Sequence, residues 1–319
     1  MTKLALGIAG CGGHAVHHAR HLGELFTLVG AYDLKREAAD GIGAERVYDT
    51  LEDMLADPRI SAVLVCSRDE AHLEQSMAAL RAGKHVFCEK PLLVPGQDMS
   101  ELVAMFALAR ERGLVFSTCH LRRKDRPFMW LQDQLPGLIE RFGKVLHFAF
   151  DFSYHEPSEP WKAARSLLLD HINHEIDLMS FLFGLLGFEA MQVRDGFNHY
   201  EVFGMRDDDI SFHLQGTRRL AKGTYPEWCE IRFERGKVVL DMMMGVARVH
   251  DHAEHTITTY ANLAIDYGGR LAGVMTDFGQ EILHGSTGYL SFSEMYMNTE
   301  AGIVLQQQGW QRVNTRKLN

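Results

Sequence analysis

Cysteine is scarce: five residues in 319, at positions 11, 66, 88, 119 and 229, odd in number and widely scattered. Such a set makes no disulfide framework, and four of the five fall at or beside predicted strand ends; they read as reduced thiols of a cytosolic protein. Long apolar runs are missing too, since nothing approaches the roughly 20 residues that a membrane helix needs. The first residues hold one Lys and a six-residue apolar run that the fold itself requires, so they do not read as a signal peptide. Positive charge is in deficit, with 33 Lys and Arg against 42 Asp and Glu and a net charge of −9, which argues against a nucleic-acid or anionic-membrane partner. What remains is an ordinary globular composition, 46% hydrophobic and 24% charged, in a chain long enough for two domains with proper cores.

The densest information lies in Leu4–Ala19. A short apolar run breaks into glycines and then turns helical, reading G-x-G-x-x-A from Gly10 to Ala15. Gly10 makes the tight turn, Gly12 lets backbone approach a pyrophosphate, and Ala15 keeps helix and strand close; Gly13 and His14 lie in the same turn. The helix start supplies free N–H groups and partial positive charge. Phe26–Asp33 forms the next strand, and Asp33 follows Gly12 at about the spacing at which a carboxylate accepts ribose hydroxyls. A glycine turn beside a solvated Asp is the plainer alternative.

From residue 3 to about 118 strands and helices alternate, as in a doubly wound parallel sheet with helices on both faces. Ligands of such a sheet sit at the strand carboxyl ends: Gly10–Ala15, Asp33, Ser67–Asp69, Glu89–Pro91 and His120. Beyond residue 143 the texture changes to alternating strands separated by charged turns, with helical stretches at Leu167–Leu182 and in the C-terminal third. This predicts an α/β domain built on one large, mainly antiparallel open sheet. The expected division is a dinucleotide-binding Rossmann domain over 1–120 and a second α/β domain over 121–319, packed directly on the first with a cleft between.

Two constellations carry chemistry. Glu89-Lys90-Pro91 follows the fifth strand, where it is either at the cofactor rim or a surface turn. Asp170 and His174 are i,i+4 neighbours in a Leu-rich helix, with Asp177 one turn on; a solvated face with an exposed ion pair is the alternative. His171, His174 and Glu175 could be read as metal ligands, but their spacing matches no recognised zinc pattern, so no metal is expected.

Together these motifs resemble the Gfo/Idh/MocA oxidoreductases along nearly the whole chain. Gly10 to Ala19 looks like that family's G-x-G-x-x-G-x-x-H-A, with His18 as the histidine. Ser67-Arg68-Asp69-Glu-Ala-His72 aligns with T-P-N-x-x-H, and Ala82 to Pro91 matches A-G-K-H-V-x-x-E-K-P almost residue for residue. Asp170-x-x-x-His174-x-x-Asp177 fits D-x-G-x-H-x-x-D. The resemblance implies an NAD(P)-dependent oxidoreductase acting on a sugar, cyclitol, aminosugar or related carbonyl or imine, assembled as a homo-oligomer (dimer or tetramer) through the second domain. It implies cofactor contacts at Gly10, Gly12, Gly13, His14, Ala15, Asp33, Ser67, Arg68, His72, Glu89 and Lys90, and a catalytic set of Lys90, Asp170 and His174. His174, whose ordinary pKa lies near neutrality, is the acid–base group; Asp170 orients it; Lys90 hydrogen-bonds the reacting oxygen. Asp33 favours NAD over NADP, with Lys35 and Arg36 able to soften that preference.

The departures are local. Arg68 and Asp69 replace Pro and Asn, Ile172 replaces the Gly of D-x-G-x-H, and Asn173 takes an aliphatic position, so the substrate pocket is expected to be unlike that of a typical cyclitol dehydrogenase. His120, Arg122, Arg123, Tyr154, Trp161 and Arg165 could line it or be structural. The other function classes are a non-catalytic dinucleotide-binding sensor and a metal-dependent hydrolase or lyase on the His171/His174/Glu175 cluster.

Overall fold

The computed structural model describes residues 3–155, 166–285 and 290–306, and the backbone of 311–313. Its first eleven strands and helices alternate as the sequence suggested: β1 (Leu4–Ala9), α1 (Gly13–Arg20), β2 (Phe26–Tyr32), α2 (Arg36–Asp40), β3 (Arg46–Val47), α3 (Leu51–Ala56), β4 (Ala62–Val65), α4 (Asp69–Arg81), β5 (His85–Cys88), α5 (Met99–Glu111) and β6 (Phe116–Thr118), closed by a 3₁₀ turn at Leu121–Lys124.

 The sheet runs β3-β2-β1-β4-β5-β6 with every pairing parallel. Its central strands are buried on both faces, β4 completely, as expected where helices cover both sides. Register places Val65, Cys88 and Thr118 side by side, so the loops that follow β4, β5 and β6 leave the sheet at one level.

The rest of the chain adds α6 (Arg126–Phe142), β7 (Val145–Asp151), α7 (Leu167–Phe183), β8 (Phe188–Asp195), β9 (His199–Arg206), β10 (Ser211–Thr217), β11 (Trp228–Phe233), β12 (Gly236–Asp241), β13 (Val246–Asp251), β14 (Thr256–Tyr260), α8 (Tyr267–His284), α9 (Phe292–Val304) and β15 (Gln311–Val313). The nine strands form one sheet, β14-β13-β12-β11-β7-β10-β9-β8-β15, antiparallel except for β7 with β10. Two amphipathic helices bury one face of it. Phe128, Leu131, Leu135, Leu138 and Phe142 of α6, at helical spacing, and Leu168, Ile172, Ile176 and Met179 of α7 share a core with Phe148, Phe150, Val202, Phe212, Leu214 and Ile231 of the strands. The opposite face carries Phe203 stacked on His213 at 4.0 Å, and Glu230 hydrogen-bonded by Arg232 and by Lys237.

The chain divides into two compact units, residues Met1–Lys124 with Tyr267–Tyr296, and Asp125–Asp266 with Met297–Asn319. The first boundary falls four residues beyond the expected 120, but α8 belongs with the N-terminal sheet rather than with the second domain. The physical reason is its apolar stripe: Leu271, Val274, Met275 and Phe278 are buried, and the Phe278 ring lies 5.7 Å from Phe26 and 5.2 Å from Phe87. Ion pairs of Lys124 with Asp277 (2.6 Å) and of buried Arg123 with Glu294 (2.6 Å) tie the same segment down. Among the described residues no helix is long and apolar enough to cross a membrane.

Candidate active site

The glycine turn is built from its backbone upward. Gly10 has φ +85°, and a Cβ there would lie 2.4 Å from the Ser67 backbone, so the protein itself demands glycine. At Gly12 and Gly13 a Cβ would meet nothing within 4 Å, so no packing requires glycine at either. The start of α1 has neither a side-chain cap nor an acidic residue in its first turn. An uncapped helix start behind two open glycines is a cradle that fits a pyrophosphate. His14 is exposed beside it, and Ala15 is fully buried against the sheet.

Asp33 faces the same turn. Its Oδ2 accepts the Cys11 N–H at 2.7 Å and its Oδ1 accepts the Lys35 N–H at 2.7 Å, so both oxygens are fixed while each keeps a second lone pair. Arg36 pairs with Asp40 at 3.1 Å and with Asp49, which directs its guanidinium to those carboxylates. Burial and the charge of Asp33 push the Cys11 thiol up to about 12, so it is protonated.

The next strand ends supply Ser67, half-buried, and Arg68, exposed. The side chains of His72 and Glu89, expected at the cofactor, meet protein groups. His72 is 1% exposed, and its ring nitrogens lie 2.7 Å from the Pro91 carbonyl oxygen and 3.2 Å from that of Ser67. Glu89 is buried, with its Oε1 2.7 Å from His18 Nε2 and its Oε2 accepting the Lys90 N–H at 3.2 Å. Burial works against the Glu89 charge, but the hydrogen bond and charge of His18, with His14 and Lys90 near, hold its carboxyl well below the usual range. Protein groups therefore occupy both side chains, and their work is to shape the loops that carry Ser67 and Lys90. Lys90 itself is half-buried.

Cys119 completes a buried trio with His18 and Glu89, one ligating atom of each lying within 4.8 Å of the others. Burial and the Glu89 charge raise its thiol well above the ordinary value, and the His18–Glu89 pair is already closed by its own hydrogen bond. His120 and Arg122 are buried at 2% and 3% exposure, as is Arg123 in its pair with Glu294. Tyr267 and Arg270 of α8 also lie beside α1. Arg270 lies over the Tyr267 ring at 4.5 Å, and Tyr267 meets His17 of α1 edge-on at 5.3 Å.

In the second unit, α7 is buried nearly all round, from Leu167 to Ser180 except at the half-buried Asp170. That excludes a solvated face for Asp170 and His174. His174 is 6% exposed, with its ring 6.4 Å from Phe152. His171 stacks on Phe152 at 3.8 Å and lies 5.3 Å from the half-buried Tyr154. Glu175 accepts the Tyr200 hydroxyl, whose oxygen is also 3.4 Å from His171 Nδ1, and Asp177 accepts from Asn298 at 3.0 Å. Three of the polar residues around His174 are thus held by the sheet and by α9. Ile172 is in the core, and Asn173 donates to the Leu169 carbonyl at 3.4 Å. Trp161 and Arg165 lie outside the described residues.

Residues 4–120 match the profile of GFO_IDH_MocA, the oxidoreductase family with an NAD-binding Rossmann fold. Among curated proteins, the chain is 34% identical over 150 residues to a 1,5-anhydro-D-fructose reductase of Ensifer adhaerens, covering 45% of this chain and 43% of that one. It is 27% identical over 187 residues to a myo-inositol 2-dehydrogenase of Thermotoga maritima, covering 57% and 55%. The chain thus spans about half the length of these two relatives. Among solved structures, a levoglucosan dehydrogenase in complex with NADH superposes with a TM-score of 0.83 at 19% identity, covering 98% of this chain and 99% of that one. An oxidoreductase from Agrobacterium radiobacter in complex with NAD+, L-tartaric acid and magnesium gives 0.84 at 14% identity over the whole of both chains. These two share the fold, six-stranded parallel sheet and large antiparallel sheet together. Over the glycine turn and the E-K-P segment the chain is thus similar to the Gfo/Idh/MocA oxidoreductases, with inositol dehydrogenases among its relatives.

Proposed function

We propose that the protein is an NAD-dependent dehydrogenase or reductase that moves hydride between nicotinamide and a sugar, cyclitol, aminosugar or related small carbonyl or imine compound. The observation that carries this reading is the preformed cradle: two glycines open to solvent, an uncapped helix start, and a carboxylate locked to the turn by the Cys11 N–H. Gly12, Gly13 and the first-turn N–H groups hold the pyrophosphate, and Asp33 accepts the ribose hydroxyls through its remaining lone pairs. When bound, the nicotinamide supplies or takes the hydride.

The chain's own residues do the rest. Lys90 donates a hydrogen bond to the reacting oxygen and stabilises negative charge on it. His174 removes or returns the proton on that oxygen, or on nitrogen in an imine, and Asp170 orients the imidazole and stabilises its cation. Burial of α7 supports these roles, because a buried polar helix face answers to chemistry or packing rather than to solvation. Tyr154 and the segment with Trp161 and Arg165 serve substrate recognition, and the second unit supports a homo-oligomer, dimer or tetramer. The names of the relatives, a 1,5-anhydro-D-fructose reductase and inositol dehydrogenases, support the substrate class.

The test is a panel of sugars, aminosugars and cyclitols with NAD+ and NADH, read by absorbance of the reduced cofactor. Turnover of a member of the panel is expected. Tight NADH binding without turnover of any member would favour the dinucleotide-binding sensor instead.

A further inference from the structure

We propose that His72 is held as an imidazolium cation that clamps the Ser67 loop to the Lys90–Pro91 segment, which makes it a positioning residue for Lys90. Only the importance of Lys90 rests on the function proposed above; the protonation state does not. His72 sits in the first turn of α4, and its ring is 1% exposed. Nδ1 lies 2.7 Å from the Pro91 carbonyl oxygen and Nε2 lies 3.2 Å from the Ser67 carbonyl oxygen. Carbonyl oxygens only accept, so each ring nitrogen needs a proton to bond its neighbour. Turning the ring over would put Cδ2 and Cε1 in the places of the nitrogens and lose both contacts, so it does not resolve the pairing. A neutral imidazole has one N–H and would set a lone pair against a carbonyl.

The surroundings compensate the charge. From β5, the Cys88 sulfur is within hydrogen-bonding reach of the ring; from α4 itself, Asp69 adds negative charge; the Pro91 and Ser67 carbonyls supply the rest. Burial works against the cation, but Cys88, the Pro91 carbonyl and Asp69 outweigh it and carry the imidazole up to about 9. The two clamped segments matter because of what adjoins them. The Ser67 backbone is the wall against which Gly10 turns, and Pro91 directly follows Lys90. One ring thus fixes the spacing of two strand-end loops within the first unit. Above about pH 9 one of the two hydrogen bonds is lost and the loops are free to separate.

The rival arrangement is a neutral ring whose Nδ1–H donates to Pro91 while Nε2 accepts the Cys88 S–H. Long-range ¹H–¹⁵N spectra of the intact ¹⁵N-labelled protein, with His72 assigned through its backbone connectivity, separate the two without any turnover. Two protonated-type ring nitrogens at neutral pH, one of which loses its proton near pH 9, are expected. One unprotonated-type nitrogen at neutral pH would overturn the proposal. The functional arm is NADH titration of the native chain and of His72→Gln from neutral pH upward. Native affinity should weaken by roughly tenfold as pH passes the His72 transition, the size of one hydrogen bond to a charged group, and His72→Gln should lack that step. An alkaline step of equal size in His72→Gln would show that His72 does not set it. If NADH fails to bind at all, the oxidoreductase reading falls while the spectra still decide the charge.

Discussion

The backbone N–H of Cys11 donates to Asp33 Oδ2 at 2.7 Å, joining the glycine turn to the carboxylate at the end of the next strand. On the proposed function, this bond puts the carboxylate that would accept the ribose hydroxyls in place before any ligand arrives, its position set by the residue that follows Gly10. Preorganisation of this kind lowers the ordering cost of binding.

Cofactor choice follows from it. A fixed carboxylate repels a 2′-phosphate, and the neighbouring Arg36 is engaged with Asp40 and Asp49. Equilibrium titrations should show NADH bound more tightly than NADPH, by about tenfold or more. Asp33→Ser should weaken NADH and narrow or invert that ratio. Tighter NADPH binding by the native chain would reverse the assignment.

Lys90→Ala should leave NADH affinity within a few-fold of native while kcat falls on the order of 100-fold or more, the usual loss for one preorganised electrostatic donor. Steady-state kinetics together with NADH titration separate the two effects. An unchanged kcat would remove Lys90 from the chemistry.

The buried His18–Glu89 pair makes a prediction about stability. His18→Ala leaves the Glu89 carboxylate buried without its main partner and should destabilise the protein by about 3–5 kcal/mol in urea unfolding. The Glu89 carboxyl is held below its unfolded value, so its contribution is fully present above the ordinary carboxylate range and is lost as pH falls below that range toward the folded value. Native stability should therefore decline in acid more steeply than that of Glu89→Gln. Parallel curves for the two would show that Glu89 is not ionised in the folded state.

The local parts of this architecture could be read from residues close together in sequence. Gly10–Ala15, Asp33 and the A-G-K-H-V-x-x-E-K-P segment are each short motifs whose backbone task is set within a few positions. Long-range placements could not be read in this way. The stripe Leu271, Val274, Met275 and Phe278 announces a buried helix but not which sheet it meets, and it meets Phe26 and Phe87 of the first unit. The Arg123–Glu294 bond joins residues 171 positions apart, so a basic pair that looked available for substrate includes a buried structural tie. His72 and Glu89 kept their places in the motifs, but which groups their side chains bond depends on three strand ends coming to one level. In α7 the pattern Asp170, His174, Asp177 is visible, whereas the partner of Glu175, Tyr200, comes from β9 across the core.

Tyr200→Phe tests that last contact. Removing the hydroxyl leaves Glu175 buried with one donor fewer, and thermal or urea unfolding should show a loss of about 1–3 kcal/mol. A neutral effect would mean that Glu175 finds another donor.

The central claim is that dinucleotide binding and proton transfer belong to separate sets of residues, the first at Gly10–Asp33 and the second at His174. The most direct measurement is kcat and the NADH dissociation constant of His174→Ala, taken over a range of pH with a substrate found in the panel. The account predicts that kcat falls by on the order of 100-fold or more while NADH affinity stays within about twofold of native. A near-normal kcat at every pH would contradict it, because another group would then move the proton.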